Sequence, residues 1–279
     1  MQSSYDLHTH STASDGTLAP AALVRAAVES GVTVLALTDH DTLEGLAEAD
    51  VEARALGISL IPGVEISVSW NNRTIHMLGL NVDLEATDLQ LGLAGLREFR
   101  DSRAVKIGER LEKYGISGAY EGALALSNGR LVSRTHFARY LVQQGYVEDV
   151  RKVFKKFLVP GKPGHVKGEW ADLQAAISWV KQAGGIAVIA HPARYRMTRT
   201  VLRRLLADFK EAGGEGLEVI SGSHSYDEML TMGRYANEFK LMASSGSDFH
   251  SPDNAWSRLG HLPELPMGCR PVWDFWQQH

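Results

Sequence analysis

The sequence predicts an α/β protein: a distorted seven-stranded (β/α)7 TIM-like barrel with a mostly helical insertion. Three observations carry that expectation. Seven short apolar runs, many rich in β-branched residues, recur along the 279-residue chain. Helical patterns separate most of them, and such alternation builds a parallel sheet with helices outside it. Each run ends in or carries polar residues of metal-binding type, and barrels gather functional side chains at the C-terminal ends of their strands.

The first run, residues 5–10, closes on His8-Thr9-His10, with Asp15 beyond. Residues 20–30 form a helix, with Pro20 in its first turn and Gly31 just past its end. The second run, 32–38, leads into Asp39-His40-Asp41, and a helix over 44–56 stops at Gly57. The third run, 59–66, holds Glu65. The fourth, 74–80, carries His76 and follows an Asn71-Asn72 turn, so this junction reads as a hairpin. From Asp83 to about His165 the rhythm breaks into helices. One spans 89–114, with a break expected near Asp101-Ser102; one starts at its N-cap Ser133 and runs to Gly145; one covers 148–158. Pro160, Gly161, Pro163 and Gly164 then mark a linker. The domain reading is a barrel made of residues 1–82 and 166–279, with 83–165 as a substrate-recognition cap. The remaining runs, 185–190, 216–220 and 241–245, alternate with helices over 172–183, 201–212 and 226–239. They end at His191-Pro192, near Ser223-His224, and at Asp248-Phe249-His250. Trp256, Trp273 and Trp276 read as C-terminal packing.

Composition narrows the function. A net charge of −4 and a pI near 6.3 exclude broad non-specific binding to nucleic acid. Cys269 is the only cysteine, so an internal disulfide and a cysteine zinc site are both out. A single thiol suits a reducing compartment, no basic-then-apolar leader is visible, and no apolar run approaches a membrane span. The expectation is a cytoplasmic protein with no membrane association and no evident protein partner.

The strand ends bring together His8, His10, Asp15, His40, Glu65, His76, His191, Asp248 and His250, which include six of the eleven histidines. In a strand, residues i and i+2 share a face, so His8 and His10 can grip one ion, and Asp248 and His250 repeat the spacing. Nine such ligands are too many for one ion of about four ligands. They suffice for two or three ions sharing a carboxylate with two oxygens, for which Glu65 is the natural bridge. Mixed imidazole and carboxylate donors suit Mn²⁺, Fe²⁺ and Zn²⁺, and Mg²⁺ also fits the carboxylates.

The motifs HTHSTASDG, LTDHD, GVEIS, the His76 strand, AHP and GSDFH run in order from residue 8 to residue 250. Together they resemble the polymerase and histidinol phosphatase (PHP) metallophosphoesterases. SRTHFARYLV, the VFKKFL stretch leading to PGKPG, and SGSHS resemble the 3′,5′-nucleoside bisphosphate phosphatase branch, close to 5′→3′ exoribonucleases. The resemblance implies a first metal on His8, His10, Glu65 and Asp248, and a second on Glu65, His76 and His191. Asp15, His40 and His250 match a third position. Some three-metal members have a histidine where this chain has Asp15. In the alternative, Asp15, His40 and His250 are catalytic and face the substrate, with His40 or His250 protonating the leaving group. The resemblance favours Mn²⁺.

Within the insertion, Arg103 lies four residues from both Phe99 and Ile107, on the apolar stripe of its helix. An inward arginine needs an anion. Lys106 is on nearly the same face, and Arg134 and Thr135 begin the Ser133-capped helix, where a helix N-terminus already attracts anions. Arg103, Lys106, Arg134 and Thr135 are therefore the candidate substrate-binding residues. The reading is a metal-dependent phosphatase acting on small nucleotides with two phosphates. Short RNA oligonucleotides are the alternative substrate on the same site. A C–N amidohydrolase is the alternative of another class; such enzymes use a bridging lysine at a strand end, and here Glu65 stands in that place.

Overall fold

A computed structural model describes residues 4–277 apart from residue 255. Its strands are β1 (Tyr5–Asp6), β2 (Val34–Leu37), β3 (Ser59–Trp70), β4 (Arg73–Leu80), β5 (Ala171–Asp172), β6 (Ile186–Ile189), β7 (Gly216–Ser221) and β8 (Met242–Gly246). Seven of them, all but β5, follow one another round a nearly closed barrel in chain order. The two-residue β5 is an addition beside the far end of β3. Pairing is parallel except at β4, which runs antiparallel to both β3 and β6 because the Asn71-Asn72 turn makes β3 and β4 a hairpin. Asn71 and Asn72 take φ of 46° and 59°, the left-handed values that Asn tolerates in tight hairpins.

The first run departs from the expected six-residue strand. Its ladder ends at Asp6. Beyond it the chain stays extended but bonds alternately to both neighbours: the Leu7 amide donates to the Ser245 carbonyl (2.9 Å), Asp248 N to His8 O (2.9 Å) and Thr38 N to Thr9 O (2.9 Å). This stretch closes the barrel. Gly246 sits at the closure because a Cβ there would lie 2.3 Å from the His8 Cβ and 2.7 Å from Glu218 Oε1.

Helices α1 (Pro20–Glu29) and α2 (Leu46–Leu56) fall where expected, the latter stopped by Gly57 at φ 70°. α3 (Thr87–Lys113) is unbroken at Asp101-Ser102. Both residues are exposed, and polar residues on a solvent face do not interrupt a helix. α4 (Ala119–Leu126) has no clear sequence signal; its Gly122 lies where a Cβ would meet the Tyr140 ring at 2.1 Å. α5 (Arg134–Gln143) starts on Ser133 as expected. α6 (Val150–Val153) runs into one wider turn over Phe154–Leu158, and α7 (Leu173–Gln182), α8 (Arg199–Glu211), α9 (Tyr226–Glu238) and α10 (Asp274–Gln277) follow.

α3 ties the two parts together. Leu89, Leu93 and Leu96 belong to the barrel's apolar core, whereas Ala104, Ile107 and Leu111 join Phe137, Leu141 and Phe157 in a separate core within the insertion. Trp273 stacks on Tyr5 at 4.0 Å, and Trp276 packs in the same region. Trp256 does not pack as expected: it is 68% exposed. Among the described residues no helix is long and apolar enough to cross a membrane.

Candidate metal centre

All nine ligand candidates converge at one end of the barrel, in four overlapping groups: His10, Asp15, His40 and His250; His8, Glu65 and His191; His8, His10 and Asp248; and His40, Glu65 and His76. Backbone strain helps aim them. His191 and Asp248, just past β6 and β8, take φ of 30° and 55°, a conformation non-glycine residues avoid unless the surroundings impose it. Asp248 and His250 therefore do not share a face by strand alternation, as their spacing suggested. The turn at Asp248 brings the two side chains together, and His250 Nδ1 lies 2.9 Å from the Asp248 carbonyl.

The distances fit divalent cations. His8 Nε2, His10 Nε2, Glu65 Oε2 and Asp248 Oδ1 form a compact group: the histidine nitrogens are 3.1 Å apart. Glu65 Oε2 lies 3.4 and 3.2 Å from them, and Asp248 Oδ1 3.6 and 3.5 Å. A tetrahedral ion with bonds of about 2.0–2.2 Å sets its ligand atoms about 3.4 Å apart. The other Glu65 oxygen, Oε1, faces His76 Nδ1 at 2.8 Å and His191 Nε2 at 3.0 Å. Asp15 Oδ1 is 3.3 Å from His250 Nε2 and 3.9 Å from His40 Nε2. Glu65 Oε2, His40 Nδ1 and Asp15 Oδ1 are buried without a hydrogen-bond partner among the described residues, although His40 Nδ1 is only 2.9 Å from Glu65 Oε2. Buried polar atoms normally find partners, and cations between these atoms would supply them.

Burial would raise the Glu65 carboxyl, but the imidazoles of His40, His76 and His8 hold it well below its usual range. Asp248 is likewise opposed by burial and held low by Arg194, His8 and His250. Burial, reinforced by Arg194, pushes His191 down to about 3, which keeps its ring neutral as a ligand must be.

Several residues that organise the centre escaped the sequence reading. Glu218, buried in the middle of β7, places Oε1 3.0 Å from His8 Nδ1 and accepts from the His191 amide at 2.5 Å, fixing the His8 ring with Nε2 inward. A lone carboxylate inside the apolar run GLEVIS was its signal. Asp39 accepts from Ser11 N (2.8 Å), Ser11 Oγ (2.6 Å) and Ser14 Oγ (2.6 Å), shaping the loop that delivers Asp15. Arg194 pairs with Asp248. The insertion reaches the centre directly: Ser133 Oγ donates to Asp15 Oδ2 (3.1 Å) and Arg139 Nη2 to the Asp15 carbonyl (2.8 Å).

The centre opens into a cavity of about 530 Å³ whose lining also includes Arg100, Arg103, Arg134 and Thr135. Arg103 is buried as its helical spacing requires, but its partner is a carbonyl: Nε and Nη2 donate to Val166 O at 3.0 and 2.9 Å. Among the described residues no carboxylate pairs with it. Burial, with Arg134 and Arg100 nearby, pushes Arg103 down to about 9. Arg100, which the sequence reading missed, pairs with Asp41 (2.6 Å) and Ser67 (2.7 Å) and lies over the Trp170 ring with Arg103. Arg134 rests on Phe154. Lys106 must be corrected: it is exposed and does not line the cavity. Three residues along a helix turn about 300°, which carries it past the edge of the buried stripe.

The cap of α5 gives a pH prediction. The Ser133 amide donates to Nδ1 of buried His136 (3.0 Å), which must therefore be unprotonated. Burial pushes His136 from 6.5 to about 4. The neutral form is favoured by folding, so this contribution is whole above pH 6.5 and is lost as pH falls from 6.5 towards 4. It is worth on the order of 3 kcal/mol. Denaturant unfolding at pH 7 and pH 4.5 should show a smaller acid loss for His136→Gln than for the wild type; equal losses would contradict this.

Known proteins resemble this chain along nearly its whole length. The profile described as PHP domain matches residues 6–166. A 3′,5′-nucleoside bisphosphate phosphatase of Chromobacterium violaceum is 49% identical over 96% of this chain and 94% of its own. A 5′-3′ exoribonuclease of Haemophilus influenzae is 48% identical over 98% of this chain and 99% of its own. A solved structure from Chromobacterium violaceum, described as an amidohydrolase with bound sulfate and no metal, superimposes with a TM-score of 0.95 at 48% identity, covering 99% of this chain and 96% of that one.

Proposed function

Since this chain belongs to the PHP domain family and is a metal-dependent phosphoester hydrolase, we propose that it removes the 3′-phosphate of nucleoside 3′,5′-bisphosphates, giving nucleoside 5′-monophosphate and phosphate. One observation carries the reading. A single cavity is lined by a carboxylate–imidazole centre and by the guanidiniums of Arg103 and Arg134, which make no ion pair among the described residues, beside that of Arg100, which Asp41 already pairs. A substrate with two phosphates satisfies both groups; a simple monoester satisfies one.

His8, His10, Glu65 and Asp248 would hold one cation, Glu65, His76 and His191 a second, and Asp15, His40 and His250 a third. Mn²⁺ is our choice, with Zn²⁺, Fe²⁺ and Mg²⁺ compatible with the same donors. Bound cations acidify water and stabilise the charge that develops on the phosphoryl oxygens. The chain's own groups do the rest. Glu218 and Asp39 fix the ligand orientations. Arg103 and Arg134 hold the 5′-phosphate, so that the 3′-phosphorus meets the centre. Water adds to that phosphorus and the P–O3′ bond breaks; where Asp15, His40 and His250 face the substrate in place of holding a third cation, the 3′-oxygen takes its proton from His40 or His250, both of which line the cavity, and the water's proton goes back to that histidine.

A second reading is favoured by the exoribonuclease relative. Releasing a 5′-mononucleotide from the 5′ end of RNA by cutting at its 3′-oxygen breaks the same P–O3′ bond, with a strand in place of a proton beyond the phosphorus. Short RNA oligonucleotides are therefore the second substrate class. C–N hydrolysis is disfavoured: Glu65 takes the bridging place, and Lys167, the one lysine lining the cavity among the described residues, lies beside the insertion.

The test is phosphate release from a nucleoside 3′,5′-bisphosphate and from the matching 5′-monophosphate. Chelation should abolish turnover of the bisphosphate and Mn²⁺ should restore it, while the 5′-monophosphate stays inert. Full activity in metal-free protein, or equal turnover of the two nucleotides, would refute the proposal.

A further inference from the structure

Behind the arginine wall lies a second cavity, of about 850 Å³, lined by Arg110, Lys113, Lys162, Lys167, His165 and Tyr114 among others, with no carboxylate in its lining. It shares His165 and Lys167 with the cavity of the metal centre. Val166, whose carbonyl holds Arg103, lines it too. Among the described residues the side chains of Lys113, Lys162 and Lys167 make no ion pair or hydrogen bond, and the Arg110 guanidinium donates only to the Pro163 carbonyl (2.8 Å). Arg103 and Arg110, seven residues apart, follow one another along one side of α3, so cationic groups continue along the helix from Arg103. His165, between the two cavities, is pushed down by burial and then by Arg103, Arg134 and Arg110, which places positive potential on both sides of it.

On a chain with a net charge of −4, four cations gathered without a carboxylate form a local anion site. Its position restricts the anion. If the 5′-phosphate of the bound nucleotide rests on Arg103 and Arg134, an RNA cut one nucleotide at a time from its 5′ end continues from the 3′ side of that nucleotide and does not enter this cavity. Further phosphates in anhydride linkage can enter it. Resting on the reading of the metal centre given above, we infer that the enzyme accepts nucleoside 3′-phosphates bearing a 5′-di- or triphosphate, with the outer phosphates held in this second cavity. The reaction is the same P–O3′ hydrolysis, and the 5′-polyphosphate leaves intact on the product.

The experiment compares adenosine 3′,5′-bisphosphate with adenosine 3′-phosphate 5′-triphosphate, using the metal-loaded wild type and the double variant Lys113→Ala/Lys162→Ala. Neither lysine lines the metal-centre cavity, and both are exposed. The wild type should turn over the triphosphate with a kcat/KM no more than threefold below that of the bisphosphate. The double variant should lose ten- to a hundredfold on the triphosphate, as expected for lost contacts to phosphate, and change less than twofold on the bisphosphate. A wild type more than threefold poorer on the triphosphate, or a variant that affects both substrates alike or neither, would overturn the inference. If the bisphosphate itself is not hydrolysed while p-nitrophenyl phosphate is, the substrate reading fails first and takes this inference with it.

Discussion

Glu65→Gln should lower kcat by about a hundredfold or more, with the barrel still folded. Both carboxylate oxygens are engaged. Oε2 faces His8, His10 and His40 at 3.4, 3.2 and 2.9 Å, and Oε1 faces His76 and His191 at 2.8 and 3.0 Å. The amide keeps the shape but removes the one negative charge common to all five imidazoles and turns one ligand atom into a donor. Cations placed by the remaining ligands would shift, and displacements near 1 Å cost on the order of a hundredfold in rate. Elemental analysis should show fewer ions per chain, and circular dichroism should be unchanged. Asp248→Asn should behave alike, since Asp248 also orients Arg194. Near-wild-type turnover at saturating metal would remove Glu65 from the bridging role.

The second large effect concerns selectivity. Arg103→Ala and Arg134→Ala should each lower kcat/KM for a 3′,5′-bisphosphate about ten- to over a hundredfold, the value of one charge-assisted contact of about 1.5–3 kcal/mol. Neither should alter p-nitrophenyl phosphate hydrolysis more than severalfold, because that ester has no second phosphate to lose. The contrast between substrates separates a binding role from a folding defect, a real hazard at Arg103, which also anchors Val166. Arg103→Lys guards against it by keeping the charge while losing the two-pronged grip, and should fall between wild type and alanine. Equal losses on both substrates, with metal content intact, would mean that these arginines act at the metal-bound phosphate or in structure.

How much of this was legible beforehand follows from the kind of signal each residue left. His8, His10, His191 and Asp248 lie just beyond β1, β6 and β8, and Glu65 and His76 lie within β3 and β4; the structure brings all six to one end of the barrel, although Asp248 arrives there through a left-handed turn and not by strand alternation. Arg103 was legible through helical periodicity, which also misplaced Lys106: one residue off the stripe is enough for a flexible cation to face water. Arg100 lies four residues from Leu96 and Ala104 on the same buried stripe, a signal the periodicity offered, but its partners Asp41 and Ser67 are distant in sequence and no local pattern reveals them. The same holds for Arg139, whose partner is the carbonyl of Asp15. The short β1 ladder and the left-handed turns at His191 and Asp248 come from barrel closure and from ligand crowding, tertiary constraints that override local preference.

The central claim is that the 3′-phosphorus meets the metal centre while the 5′-phosphate stays on the arginine wall. Its most direct measurement is the identity of the nucleoside product after partial hydrolysis of a 3′,5′-bisphosphate by the Mn²⁺-loaded enzyme, read by ³¹P NMR. The account predicts nucleoside 5′-monophosphate and inorganic phosphate as the only products. Accumulation of nucleoside 3′-monophosphate would show that the substrate lies the other way round and would contradict it.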